Sequence, residues 1–128
     1  MSSIEISNFE KVGDFMEAFG QEVLVEPVFP DFNLAALRLD LIEEEVQELR
    51  DGLGKGSLLE VADALTDILY VVYGAGHSFG IDLDDCFNEV HRSNMTKLGE
   101  DGRPMYRDDG KVMKGPGYEE PNLLPFVE

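Results

Sequence analysis

Leu41-Ile42-Glu43-Glu44-Glu45-Val46-Gln47-Glu48-Leu49, followed by Glu60-Val61-Ala62-Asp63-Ala64-Leu65-Thr66-Asp67-Ile68-Leu69-Tyr70, decides the fold. Apolar side chains recur in both stretches at three- and four-residue spacings, the period of a helix rather than the alternation of a strand. With Leu34 at zero on a helical wheel, Leu37, Leu41, Glu44, Glu45 and Glu48 fall within roughly 60–80° of it, while Glu43, Gln47 and Arg50 form the polar back. The second stretch is apolar almost all round through Val61, Ala64, Leu65, Ile68, Leu69, Val71 and Val72, the pattern of a buried helix. Its acids Glu60, Asp63 and Asp67 share one stripe about 60° wide.

Working outward, the run Gly52-Leu53-Gly54-Lys55-Gly56 predicts an end to the first of these helices at Asp51, and Asn33 is its candidate N-cap. Ser57-Leu58-Leu59-Glu60 has capping-box spacing, so the second helix starts there and runs to Phe79 before Gly80. The two form an antiparallel hairpin on a short connection. An amphipathic segment precedes them, from about Asn8 to Phe19, with Phe9, Val12, Met16 and Phe19 on one stripe and Gly20 as the stop. Pro27 and Pro30 mark residues 21–32 as a loop. A fourth helix follows Asp82 or Asp84 and runs to about Lys97. With no convincing strand alternation, the class is all-α: a four-helix bundle in one domain, 1–128, with a helical core over about 8–98 and an irregular tail over 99–128 that is rich in Gly, Pro and charge.

The 128 residues carry 27 Asp and Glu against 10 Lys and Arg, a formal net charge of −17. A surface this negative repels nucleic acid and anionic membranes, so neither is an expected partner. The single cysteine, Cys86, excludes an internal disulfide, and with two histidines in the chain zinc is disfavoured. Met1-Ser2-Ser3-Ile4-Glu5 does not read as the start of a secretory signal, and the longest apolar run, Ile68 to Gly76, is shorter than the about 20 residues that span a bilayer, so the expected location is cytoplasmic. The apolar circumference of the Glu60–Phe79 helix argues against a monomer and for a homodimer or homotetramer.

The acids are out of place for a solvated surface. Aspartate is a poor helix former in a helix interior and is almost never buried unpaired. In an antiparallel hairpin Glu44, Glu45 and Glu48 face Asp63 and Asp67. At about 8 Å and an effective dielectric near 20, each like-charged pair costs about 2 kcal/mol. A domain with a net stability of about 5–15 kcal/mol cannot hold such a nest without a neutralising partner. A hard divalent ion with oxygen ligands, Mg²⁺ with Mn²⁺ able to substitute, fits the donors Glu44, Glu45, Glu48, Asp63 and Asp67. Glu60 has a separate explanation as the capping-box residue. Six of the 10 cations, Arg92, Lys97, Arg103, Arg107, Lys111 and Lys114, lie together near the C-terminus. An acidic metal nest plus a basic segment suits a phosphate-rich small molecule; the alternative is that these cations merely offset the acidic surface. His77 and His91 read as core or cap residues rather than general bases.

The two quoted stretches, together with Gly80-Ile81-Asp82 and Val90-His91-Arg92-Ser93-Asn94-Met95-Thr96-Lys97, resemble the MazG-like all-α nucleoside triphosphate pyrophosphohydrolases, whose relatives cleave dUTP and phosphoribosyl-ATP. The resemblance runs from about Phe9 to Lys114. The family signature pairs Glu-x-x-Glu with Glu-x-x-Asp on the next helix, and it implies Mg²⁺ ligation by both. Glu45 and Glu48 match the first pair and Asp67 the final aspartate, while Ala64 stands where the pattern has Glu. Asp63, one turn back, takes that place in this reading; Glu60-x-x-Asp63 also fits by eye. The resemblance further implies substrate contacts by Asn94 and Lys97. The expected catalytic carboxylates are Glu44, Glu45, Glu48 and Asp67, with Glu44 orienting or deprotonating the water, and the clustered cations Arg92, Lys111 and Lys114 are expected as further substrate contacts. The tail Gly110-Lys111-Val112-Met113-Lys114-Gly115-Pro116 is similar to that of the dUTP-cleaving branch. The expected activity is hydrolysis of a (deoxy)nucleoside triphosphate such as dUTP to monophosphate and pyrophosphate, a house-cleaning role. Phosphoribosyl-ATP cleavage and a non-catalytic metal-binding helical protein are the alternatives.

Overall fold

The computed structural model describes residues 5–128; Met1–Ile4, read above for a leader signature, lie outside them. The chain divides into two compact units, residues 1–83 and 84–128.

The first unit holds α1 (Asn8–Ala18), α2 (Phe32–Lys55) and α3 (Leu58–Phe79). Ser7 and Glu10 close a reciprocal capping box at the start of α1. Its predicted stripe is real for Phe9, Val12 and Met16, which are buried, whereas Phe19 is the C-cap and stands 70% exposed. Against α1 packs His77 of α3, a buried core residue. Its ring stacks on Phe9 at 3.8 Å between centroids, and its Nε2–H donates to the Phe9 carbonyl at 2.7 Å.

Both boundaries of α2 differ from expectation. Asp31, not Asn33, caps it by accepting from the Leu34 N–H at 3.0 Å. The helix also continues past Asp51 through Gly52 and Gly54 to Lys55. Each glycine inside a helix costs about 1 kcal/mol relative to alanine, and the reason Gly52 is tolerated is close packing. A Cβ there would lie 3.2 Å from both Glu60 Cβ and the Val61 nitrogen. Gly56, at φ 64°, ends the helix in the left-handed conformation, and the Ser57 N–H donates back to the Gly52 carbonyl at 3.1 Å. Ser57 therefore caps α3 through its hydroxyl, which accepts from the Glu60 N–H at 3.2 Å. With the Ser57 N–H already committed, the Glu60 carboxylate turns instead to Lys55 at 3.4 Å. The expected capping box is half formed.

The hairpin is antiparallel, as three cross-helix approaches require: Gly52 beside Glu60, Glu48 near Asp67, and Arg38 Nε donating to Ser78 Oγ at 2.8 Å. Burial lowers the Arg38 pKa from its ordinary value. Gly80 terminates α3 at φ 66°. A side chain there would collide with the Glu26 carbonyl. The loop before α2 runs over this end of α3, where the Leu24 and Val28 N–H groups donate to the carbonyls of His77 and Phe79 at 3.0 and 2.9 Å. Backbone groups that the end of a helix leaves without intrahelical partners are thus satisfied. The all-round apolar α3 is not enclosed within one chain, because Leu65 and Leu69 are each about half exposed.

The second unit corrects the irregular tail. Helix α4 (Leu83–Met95) stops before Lys97, and the tail forms an antiparallel hairpin of β1 (Met105–Tyr106) and β2 (Val112–Met113), then a 3₁₀ turn at Leu124–Phe126. Gly110, at φ 88°, makes the hairpin turn. The tail docks on the end of α4: buried Ser93 donates to the Glu119 carbonyl at 2.7 Å, and the Gly115 N–H donates to the Lys97 carbonyl at 2.9 Å. Arg92 bridges Glu89 and Glu119, each at 2.7 Å, and Glu89 also accepts the Asn122 N–H at 2.7 Å.

Those hydrogen bonds hold the Glu89 carboxyl at about 2, down from its ordinary 4.5, with Arg92 the largest cause. A carboxylate with a lowered folded pKa stabilises the fold above its unfolded value and loses that contribution as pH falls through the folded one. Amide protection over residues 115–122, taken relative to the intrinsic exchange rate at each pH, should therefore fall between pH 4.5 and about 2. A Glu89→Gln variant should show the lowered protection already at pH 7 and lack that pH step. Among the described residues no helix is long and apolar enough to cross a membrane.

A carboxylate cluster as the candidate metal centre

Because α2 and α3 run antiparallel, the side chains of Glu45 and Glu48, one turn apart, meet Asp67 across the seam. Each of the three offers a carboxylate oxygen, and these oxygens all lie within 4.8 Å of one another. Glu45 and Asp67 are half-buried and Glu48 is exposed. Burial raises the Glu45 pKa, followed by the adjoining Glu48 carboxyl and the charges of Asp67 and Glu44. Asp67 is raised by burial first, then by Asp63 and Glu48. All five acids singled out from the sequence are therefore electrostatically joined. Glu45, Glu48 and Asp67 form the convergent core; Glu44 and Asp63 are exposed and flank it.

The donor set fits a hard divalent ion. Three carboxylate oxygens converge to within 4.8 Å of one another, and such all-oxygen anionic donors are what an ion of the Mg²⁺ type would take. Glu45 Oε2 is sealed from solvent and accepts no hydrogen bond. A buried carboxylate oxygen left this way is costly unless a cation or proton meets it. Thiolate and imidazole ligands are absent from the cluster, which suits Mg²⁺ or Mn²⁺ better than zinc.

Next to the core, Glu48, Asp51, Lys55, Glu60 and Asp63 line an open cavity of about 210 Å³. Asp63 lines it with Glu48, one turn from Asp67, while Glu60 is engaged by Lys55. Ala64, at the position of the absent Glu, is buried at 2% exposure. Asp51, Lys55 and Glu60 were not among the site residues drawn from the sequence. Ending α2 at Asp51 removed Lys55 from the wheel, whereas on a continued helix it stands seven residues after Glu48 and on the same face.

The remaining sequence-derived residues belong to the second unit. Asn94 is exposed on α4, and Lys97 follows the helix. Arg92 is committed to Glu89 and Glu119. Lys111 is exposed in the hairpin, and the Lys114 ammonium sits 4.7 Å from the centre of the Tyr118 ring. His91 is exposed on α4 rather than in a core.

Comparison with known proteins bears on these elements. An uncharacterized protein of Acanthamoeba polyphaga mimivirus is 38% identical over 117 residues, covering 88% of this chain; the chain spans only 44% of that relative's length. A solved structure of a candidate NTP pyrophosphohydrolase from Exiguobacterium sp. 255-15 is 24% identical, with a TM-score of 0.47 over 92% of this chain and 90% of that one. The family model described as phosphoribosyl-ATP pyrophosphohydrolase matches residues 12–94. That match takes in well over half of the sequence and every carboxylate of the cluster, and so the chain belongs to the phosphoribosyl-ATP pyrophosphohydrolase family, within the MazG-like all-α group that its motifs resemble.

Proposed function

We propose that this protein is a metal-dependent nucleoside triphosphate pyrophosphohydrolase that converts a (deoxy)nucleotide such as dUTP, with water, to the monophosphate and pyrophosphate. The observation that carries the reading is the convergence of Glu45, Glu48 and Asp67, with one buried oxygen of Glu45 unpartnered. Glu45, Glu48 and Asp67 would hold the ion, with Glu44 and Asp63 beside them. A bound Mg²⁺ or Mn²⁺ supplies neutralisation of phosphate charge and a lowered pKa for its water. Glu44, exposed at the edge of the cluster, orients the attacking water and takes its proton for in-line attack at the α-phosphorus. Asn94 and Lys97, on the strength of the resemblance, and Lys111 and Lys114, from the clustering of cations, are substrate contacts in this proposal; Arg92 joins them only by leaving Glu89 and Glu119. The same proposal takes the protein as a cytoplasmic homodimer or homotetramer, since an assembled form would cover the half-exposed Leu65 and Leu69.

The family match favours a second reading, cleavage of phosphoribosyl-ATP, by the same chemistry on another substrate. A panel of canonical and non-canonical ribo- and deoxynucleoside triphosphates plus phosphoribosyl-ATP, assayed for pyrophosphate with Mg²⁺, separates the two. The expected result is release from one or a few deoxynucleotides. Release from phosphoribosyl-ATP alone would replace the first reading by the second, and silence across the panel would leave a metal-binding helical protein without turnover.

A further inference from the structure

Four carboxylates and one cation line the cavity beside the cluster: Glu48, Asp51, Glu60 and Asp63, with Lys55. We propose that Lys55 is a phosphate-binding residue that grips the terminal, pyrophosphate end of the substrate, an inference that rests on the pyrophosphohydrolase reading above.

Three features of the structure support it. Helix α2 is carried across Gly52 and Gly54 to reach Lys55, against the helix propensity of both glycines. That extension sets Lys55 seven residues, about 10 Å, beyond Glu48 on the same face. From there the long, flexible lysine stem can turn its ammonium back toward phosphates lying beside the carboxylate cluster. Secondly, the present partner of Lys55 is easily given up. Its ammonium stands 3.4 Å from Glu60, a longer contact than the 2.7 Å Arg92 pairs, with the side chains 65% and 47% exposed. An exposed pair of that kind contributes little to stability. Thirdly, Glu60 is available to park the lysine only because the Ser57 N–H is spent on the Gly52 carbonyl. The half-formed capping box leaves a carboxylate to hold Lys55 at the cavity when no phosphate is there.

A cavity walled by carboxylates repels a polyphosphate unless charge is supplied at both of its ends. Glu45, Glu48 and Asp67 would hold a metal that neutralises the inner phosphates, while the flexible, point-charge ammonium of Lys55 meets the outer ones, where a charge-assisted hydrogen bond is strong. Exchange from Glu60 to phosphate requires only rotation of the lysine stem.

The test is calorimetric binding of Mg²⁺-pyrophosphate to the full chain and to Lys55→Met and Lys55→Arg, with Mg²⁺ alone titrated in parallel and pyrophosphate release measured for each. Lys55→Met should weaken Mg²⁺-pyrophosphate about tenfold or more, and Lys55→Arg should restore it to within about threefold. Affinity for Mg²⁺ alone should not fall, a pattern that general damage to the fold would not produce. Equal affinity in wild type and Lys55→Met, or no binding by wild type, overturns the assignment of Lys55. Turnover by wild type together with an unaffected Lys55→Met variant overturns the lysine and leaves the enzyme standing. Lost Mg²⁺-pyrophosphate binding in Lys55→Met, with no turnover by wild type on any nucleotide, supports the phosphate site and removes the enzymatic reading.

Discussion

Glu48→Gln is expected to lower the rate of pyrophosphate release by at least about 10³-fold while leaving the fold intact. Glutamine keeps the size and one carbonyl oxygen of the side chain, so what is removed is the negative charge. That charge has two opposite consequences here. With an ion bound it is one of three convergent carboxylates and contributes directly to holding the metal that neutralises the phosphates. Without an ion it is a repulsive neighbour that helps to raise Glu45 and Asp67 above their ordinary values. The metal-free variant should therefore melt higher than metal-free wild type, by roughly 2–5 °C, and should respond weakly to added Mg²⁺. Near-normal turnover in Glu48→Gln would remove the cluster from the mechanism. A lower melting temperature without metal would show that Glu48 is a structural residue. Neither outcome could be blamed on a collapsed core, because Glu48 is exposed.

Metal removal is the second large effect. A ligand that binds only the folded protein stabilises it by about 2.7 kcal/mol at a concentration one hundred times its dissociation constant. For a domain of 128 residues this corresponds to about 10 °C in melting temperature. Dialysis against chelator should lower the melting temperature of the wild-type protein by about that amount and abolish pyrophosphate release; Mg²⁺ or Mn²⁺ should restore both. The unpartnered Oε2 of Glu45 makes this prediction sharper than an acidic surface alone would. Exposed carboxylates bind cations diffusely, with small shifts that salt screens away, whereas a half-buried set responds to micromolar or millimolar divalent ion in the presence of 0.1 M monovalent salt. Equal melting curves with and without Mg²⁺ would show that the carboxylates tolerate one another by sharing protons.

Helical periodicity is a local property, and it showed which residues form α1, α2, α3 and α4 to within four residues at each end. The Gly20 and Gly80 punctuation was likewise readable, since a left-handed backbone suits glycine, whereas the break read before Gly52 falls at Gly56 instead. The stripe of Asp63 and Asp67, and the turn shared by Glu45 and Glu48, identified the candidate site for the same reason: residues three and four apart on a helix share a face whatever surrounds it. The hairpin in the tail was missed: Asp109-Gly110 between Tyr106 and Val112 is a turn signal, but strands of two residues carry too little alternation to register as a period.

What the sequence determined by itself, then, is the helical class, the carboxylate pairs on the facing surfaces of two consecutive helices, and through those motifs the family. Only the tertiary structure decided which carboxylates converge, because the distance from Glu45 and Glu48 to Asp67 depends on the register of α2 against α3. That register is fixed where Gly52 lets the backbone of α3 approach to the side of Glu60 and where Arg38 reaches Ser78. The same close approach overrode the helix-breaking tendency of Gly52-Leu53-Gly54 and carried Lys55 to the cavity, since packing gained along a whole helix face outweighs about 1 kcal/mol of local propensity at each glycine.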